Sequence, residues 1–357
     1  MSKLNNFDVS VFGIKQKDRE KIFLKKINDL TKFHFKHSLE YKILINKTID
    51  KKILAKKMEL VPFLPVRLFK EFEFQSTHKD QIIKVMKSSG TGNSGLSKIF
   101  LDKETSSNQM KALAKIVSNF IGSKRKPMLI IDKKSVISNR HEFSARTAGV
   151  LGFSIFGREV DFALNEDMSI NIQGLKKFLN KHKDEEIIIF GFTYIIWEKF
   201  LNELKNLKTN FNLLNATIIH GGGWKKLEQI SVSNHEFKKK IFDILNISKV
   251  YNYYGMVEQT GSIFMECDYG YLHTSIYSDI IIRDPLNFEI KGIRKQGLIQ
   301  LLSVIPKSYP GHSILSEDIG EIYGCDDCKC GRNGNYFKVI GRIAQAEIRG
   351  CSDTYTP

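Results

Sequence analysis

The feature that most constrains this chain is a repeated alternation of helical and strand patterns between residues 98 and 254. SNQMKALAKIVSNFIG has helical rhythm, KPMLIID is a short continuous apolar run, and NIQGLKKFLNKHK is helical again. EEIIIFGF, NATIIHGG and KVYNYYG repeat the apolar run, separated by the helical patterns IIWEKFLNELKN and HEFKKKIFDILN. Apolar runs without polar alternation belong to strands buried on both faces, and strands joined through helices pair in parallel. The pattern predicts an α/β fold, layered around a mostly parallel sheet. From about residue 276 the rhythm changes to short strands and turns, in IYSDIIIRD, GLIQLLSVI, GEIYG, NYFKVIGR and AEIRG, which predicts a mainly antiparallel β subdomain.

Ahead of this alternation, residues 15–60 carry charged and apolar residues in helical spacing with no Gly or Pro, so a helical N-terminal region is expected. VPFLPVRLFKEFEF, residues 61–74, has two prolines and reads as an extended connector. IIKVMKSSGTGNSGLSKIFLD then reads as strand, Gly/Ser/Thr-rich turn and strand. Three regions follow: 1–85, helical; 86–275, the α/β core; and 276–357, the β subdomain with its tail. No repeat or low-complexity linker separates them, and they are expected to pack as one unit.

The chain has 357 residues, of which 42% are hydrophobic and 11% aromatic, enough for a sizeable core. Its net charge of +16 suits an anionic partner, but the basic residues are spread along the whole length without an interleaved basic-aromatic stripe. Nucleic acid is therefore not expected as the ligand. The first residues lack the apolar run of a signal peptide, and IIIFGFTYIIW, residues 187–197, is about half the length a membrane helix needs. A cytoplasmic protein with no membrane span is expected.

Three stretches carry chemistry. Ser88, Ser89, Gly90, Thr91 and Gly92 open a turn whose glycines allow close backbone approach and whose hydroxyls and N–H groups suit phosphate oxygens. The turn comes close to a P-loop, but Leu96 stands where that motif needs Lys, and a strand follows where the motif needs a helix. Tyr254-Gly255-Met256-Val257-Glu258 ends a strand, where α/β sheets hold ligands, and a carboxylate such as Glu258 suits Mg²⁺ that also holds phosphates. Upstream, Gly222 and Gly223 leave no side chain to obstruct a flat ring. The third stretch holds Asp318, an acid of the kind that accepts from ribose hydroxyls, and then Gly341-Arg342.

Five cysteines, an odd number in a chain this long, do not describe a disulfide framework and read as metal ligands, buried thiols or a reactive thiol. Cys325-x-x-Cys328-x-Cys330 has the density of a thiolate metal site, with Cys267 or His273 as the fourth zinc ligand; the alternatives are a set of reduced thiols without metal and, third, a disulfide. Cys351 stands apart, next but one to Arg349, a neighbour that favours the thiolate form of a nucleophile.

In order and spacing these motifs resemble the adenylate-forming superfamily of acyl-CoA synthetases, luciferases and peptide-synthetase adenylation domains. SSGT, YYGMVEQTGSIFMEC and CGRNGNYFKVIGRIAQAEIRGCSDT resemble, within its phenylacetate-CoA-ligase-like branch, the acyl-protein synthetases of the bacterial bioluminescence fatty-acid reductase complex. The resemblance runs over about residues 60–355. It implies a layered αβαβα large domain without the mobile C-terminal domain of relatives. It also implies ATP-dependent conversion of a carboxylic acid, a long-chain fatty acid, to acyl-AMP, and transfer to Cys351 as a thioester for a partner acyl reductase.

Residue by residue, the resemblance places Ser88 to Gly92 on phosphate, Gly222 and Gly223 under adenine, and Tyr254 and Gly255 beside the acyl-adenylate. Glu258 would hold Mg²⁺, Asp318 the ribose, and Arg342 would assist near ribose or phosphate. Phe192, Thr193 and Tyr194 would line the acyl pocket. The loop reads SSGTGNSG where the superfamily has SSGTTGxPK, and the catalytic lysine of the absent domain would need a substitute such as Arg342, Arg349, Lys98 or a partner's residue. A truncated acyl- or aryl-CoA ligase, with CoA as acceptor, is the alternative reading.

Overall fold

The computed structural model describes residues 10–48, 53–88, 96–138, 144–223 and 232–343. In chain order the helices are α1 (Gln16–His37), α2 (Leu39–Thr48), α3 (Leu68–Glu71), α4 (Lys103–Ile121), α5 (Ala145–Ser154), α6 (Ile172–Lys181), α7 (Thr193–Ile195), α8 (Asn202–Asn206) and α9 (Asn234–Leu245). The strands are β1 (Leu64–Pro65), β2 (Ile82–Lys87), β3 (Lys98–Asp102), β4 (Lys126–Lys133), β5 (Gly157–Leu164), β6 (Ile187–Phe192) and β7 (Ala216–Gly221). They continue as β8 (Lys249–Tyr254), β9 (Phe264–Glu266), β10 (Leu272–His273), β11 (Ser278–Arg283), β12 (Gln296–Ser303), β13 (Ser313–Cys325) and β14 (Asn335–Arg342). No described helix is long and apolar enough to cross a membrane.

The described residues form two compact units, where a single one was expected. Those of 1–87, 93–119 and 255–347 make one; those of 88–92 and 120–254 make the other. The helical N-terminal region thus shares a unit with the C-terminal strands, for a reason found in α1. Its buried stripe includes Arg19, Phe23, Ile27, Thr31 and His34. Phe23 and Ile27 join Met58, Val61, Ile281 and Leu302 in one cluster, and Arg19, only 2% exposed, pairs with Asp279 at 3.0 Å. A buried cation of this kind is tolerated only with such a partner.

In the unit built on 120–254, five parallel strands lie in the order β8-β7-β6-β4-β5. β6 and β7 are buried at every position, in keeping with their unbroken apolar sequence. Helix α9 starts with a capping box, Ser233 and Glu236 each satisfying the other's backbone N–H. α7 passes into a π-helical stretch, Ile196–Leu201, and then α8. The adjacent apolar pairs Ile195/Ile196 and Phe200/Leu201 are all buried although five residues apart. An α-helix would set such pairs about 140° apart, whereas the wider π turn brings them to one side. Edge strand β5 and helix α5 were not read from the sequence; β5 buries only part of its length, so its apolar signal is diluted.

In the other unit, antiparallel strands run in the order β11-β12-β13-β14-β10-β9, and β1 adds to β13 in parallel. The expected connector at 61–74 therefore carries a two-residue strand and the one-turn helix α3. β2 and β3, the two strands read on either side of the Gly/Ser/Thr-rich turn, pair antiparallel. β13 is a single 13-residue strand where the sequence suggested a short one, because it absorbs irregularities. Leu298 faces Ile319 and Gln300 faces Leu315, so Ile299 alone faces Ser316, Glu317 and Asp318. That bulge is closed by the Ser316 hydroxyl, which donates to the Ile299 carbonyl at 2.8 Å.

Candidate functional site

In the parallel-sheet unit the candidate residues gather at the carboxyl ends of the strands, as expected for this architecture. Thr193, just past β6, donates from its hydroxyl to the Gly221 carbonyl at 3.1 Å and lies 2.9 Å from His220 Nδ1. With that proton committed, the hydroxyl accepts from Nδ1–H, which fixes the imidazole tautomer. Burial, reinforced by Lys238, pushes the His220 pKa down to about 3, so the ring is neutral. This contact ties the end of β6 to the end of β7.

Beyond it Gly222 adopts φ +81°, which favours glycine, and a Cβ on Gly223 would meet nothing within 4 Å. Gly221 is required for another reason: a Cβ there would sit 2.4 Å from the Tyr253 ring. Phe192 is buried, with its ring against Gly149, and Tyr194 is half-buried. Tyr254 is the last residue of β8. A cavity of about 430 Å³ opens elsewhere, lined by Phe120, Lys126, Glu186, Thr217, Lys249 and Tyr251, at the amino ends of the same strands. That end of a parallel sheet is not where such folds hold ligands, so the cavity is not assigned to the site.

In the other unit Gly255 leads into a short 3₁₀ turn, Val257–Gln259, that carries Glu258. Glu258 is 3% exposed, and its carbonyl accepts from the Tyr309 hydroxyl at 2.9 Å. Burial and then the Glu258 carboxylate raise the Tyr309 pKa, keeping the phenol a donor. Gln259 Nε2 donates to the carbonyls of Leu301 and Gly311, at 3.1 and 2.8 Å. Gly261, at φ +84°, lies so close to α4 that a Cβ would sit 2.6 Å from the Gln109 backbone. The turn holding Glu258 is thus fixed on three sides. Its carboxylate is a hard oxygen ligand of the type Mg²⁺ takes beside phosphate oxygens, so the residue fits that ion. Tyr309 was not singled out in the sequence, because nothing in KSYPGH distinguishes a clamp from a turn.

Asp318 stands in the β13 bulge directly opposite Arg342 of β14. Arg342 Nε donates to Asp318 Oδ1 at 2.8 Å. The sequence named both residues but not their pairing. Lys98, a candidate substitute for the superfamily's lysine, pairs with Glu73 at 2.5 Å on the surface. Ser88 is buried at the end of β2. Ser89, Gly90, Thr91, Gly92, Arg349 and Cys351 lie outside the described residues.

The thiols are arranged differently from expectation. Cys267, His273, Cys328 and Cys330 have their ligand atoms within 4.8 Å of one another, whereas Cys325 is not in the group. Both candidate fourth ligands are therefore present and one of the three clustered cysteines is excluded. Cys325 ends β13, and Asp326, in the left-handed region at φ +61°, turns the chain before Cys328 and Cys330. Burial pushes the Cys325 thiol up to about 12, so it remains protonated.

The sequence matches the family described as acyl-protein synthetase, LuxE, over residues 4–356. No curated protein matches it. Among solved structures, 2-hydroxyisobutyryl-CoA ligase in an open conformation, in complex with 2-HIB-AMP and CoA, aligns at a TM-score of 0.74 with 16% identity, over 93% of this chain and 76% of that one. The same ligase in the thioesterification state gives 0.73 with 16% identity, over 94% of this chain and 70% of that one. A long-chain-fatty-acid-CoA ligase from Archaeoglobus fulgidus gives 0.51 with 12% identity, over 73% and 52%. At these identities the likeness is one of fold. Family match and fold agree: the chain belongs to the acyl-protein synthetase family, LuxE, and is an ATP-dependent ligase with the fold of adenylate-forming enzymes.

Proposed function

We propose that the chain adenylates a long-chain fatty acid and that the acyl group passes from AMP to Cys351 of the same chain, for delivery to a partner acyl reductase in the cytoplasm. In the first step a carboxylate oxygen attacks the α-phosphorus of ATP and pyrophosphate leaves. In the second the Cys351 thiolate attacks the acyl carbon and AMP leaves, which stores the group as a thioester. The observation that carries this reading is the family match extending over residues 4–356, which takes in Cys351.

Each residue keeps a role suited to its chemistry. Ser88, Ser89, Gly90, Thr91 and Gly92 bind phosphate; Gly222 and Gly223 offer bare backbone to adenine; Tyr254 and Gly255 flank the adenylate. Asp318 accepts from the ribose, its position set by Arg342, which also offers charge to the phosphate. Glu258, held by Tyr309 and Gln259, would hold Mg²⁺, an ion that when bound neutralises phosphate charge. Phe192, Thr193 and Tyr194 shape the acyl end of the site.

The test is intact-protein mass spectrometry after incubation with ATP, Mg²⁺ and a panel of fatty acids, run beside pyrophosphate exchange. The native chain gains one acyl mass; Cys351→Ser continues to exchange pyrophosphate into ATP but gains none. A Cys351→Ser chain that still becomes stably acylated overturns the assignment. A second reading, release to CoA, is favoured by the fold shared with a ligase solved with CoA. It requires CoA-dependent turnover that survives loss of Cys351.

A further inference from the structure

We propose that Cys267, His273, Cys328 and Cys330 bind one Zn²⁺ as a closed, tetrahedral, structural site. The inference does not depend on the acyl-transfer reading.

The four donors come from two places far apart in sequence. Cys267 and His273 flank the turn between β9 and β10, which is tightened by the Gly270 N–H on the Cys267 carbonyl at 2.9 Å. Cys328 and Cys330 lie in the connection from β13 to β14, where the Gly331 N–H bonds the Cys328 carbonyl at 2.9 Å. The pairing of β10 with β14, with His273 opposite Tyr336, brings the two turns together.

The spacing is that of ligands around a metal. Cys267 Sγ and Cys328 Sγ are 3.9 Å apart, and Cys330 Sγ is 3.3 Å from His273 Nε2. Zn–S bonds of about 2.3 Å and Zn–N bonds of about 2.0 Å give tetrahedral edges of about 3.8 Å between sulfurs and about 3.5 Å between sulfur and nitrogen. A disulfide would require about 2.05 Å, and the described cysteines are all free. Cys267, Cys328 and His273 are buried, and His273 Nδ1 has no partner among the described residues. Three soft sulfurs and an imidazole, with no carboxylate among them, select zinc over a hard cation.

Four protein ligands leave no open position, so the ion would not activate water or substrate. Its role is mechanical. Binding displaces the thiol protons and joins the β9–β10 turn to the β13–β14 connection. β14 begins a few residues after Cys330 and ends at Arg342, opposite Asp318. Zinc therefore holds the register of the strand that presents Arg342.

The experiment measures metal content of the full chain purified from zinc-supplemented culture, and cobalt uptake by the same chain after chelation. One zinc per chain is expected, together with thiolate-to-cobalt charge-transfer absorption and the d–d bands of tetrahedral Co²⁺. Cys325→Ser should retain both signals; Cys267→Ser and Cys330→Ser should lose stoichiometric zinc and weaken the charge-transfer band. Clearly substoichiometric zinc with no charge-transfer absorption in the native chain overturns the proposal, and so does loss of zinc in Cys325→Ser with retention in Cys267→Ser. The native-chain measurements decide the matter even where a variant fails to fold.

Discussion

Arg342 donates from Nε to Asp318 Oδ1 across 2.8 Å, between two residues that the β13–β14 register sets face to face. The guanidinium holds the carboxylate in place through that charge-assisted bond. Asp318→Ala should weaken ATP binding about 10- to 100-fold, the range for a hydrogen bond to a charged group. Arg342→Lys, which cannot reproduce that geometry, should have a smaller effect in the same direction. A double-mutant cycle measured by pyrophosphate exchange checks the coupling: strictly additive losses would show that the pair does not act together.

Tyr309→Phe removes the hydroxyl that fixes the Glu258 carbonyl. The buried acceptor then lacks that donor, at a cost of about 1 to 2 kcal/mol in unfolding free energy. Adenylation should fall further than stability requires, because the turn carrying Glu258 loses a restraint. Denaturant titration and the Mg²⁺ dependence of pyrophosphate exchange, read on the same preparation, separate the two effects.

Gly221→Ala places a methyl 2.4 Å from the Tyr253 ring. Overpacking of this kind costs about 1 to 3 kcal/mol and shifts neighbouring backbone, here the approach to Gly222 and Gly223. Tyr253→Leu in the same chain should recover part of the lost melting temperature. Failure of that second change to recover anything would place the clash elsewhere.

Three buried imidazoles make stability depend on pH. His220 and His312 are pushed down to about 3, and His34 is lowered as well, in each case chiefly by burial. Their folded pKa values lie below the unfolded value of about 6.5, so the unfolded chain binds more protons as pH falls. Stability is fully present above 6.5 and declines as pH drops toward 3, by up to about 2 kcal/mol per ring at pH 5. Urea midpoints at pH 7 and pH 5 should differ accordingly, and His312→Asn should flatten the dependence.

The parallel core was legible because β6 and β7 are buried at every position, so their apolar runs are uninterrupted. Strands β2 and β3 were legible on either side of the Gly/Ser/Thr-rich turn, though their pairing was not read. β5 was missed because an edge strand exposes part of its length. The candidate metal ligands were half legible: spacing along the chain favoured Cys325, whereas selection depends on which side of the β13 turn a thiol lies and on a β10–β14 pairing between residues more than sixty apart. The Asp318–Arg342 contact depends in the same way on a register shift, and Tyr309 on the path of a loop. Arg19 gave no signal, since a basic residue in a helix reads as surface until its acidic partner is known.

α1 makes its defining contacts very late in the life of the chain. Arg19 bonds the carbonyl of Ser275, 256 residues downstream, and Thr31 bonds His312, 281 residues downstream. At synthesis rates of roughly 5 to 20 residues per second, the first helix waits about 13 to 56 seconds for those partners to leave the ribosome. Through that interval Phe23 and Ile27 have Met58 and Val61 available but lack Ile281 and Leu302, the downstream members of their cluster. Yield in the cell should therefore respond to translation speed and to chaperones that shield early segments, and a fragment lacking the last hundred residues should be sticky however well its parallel sheet forms.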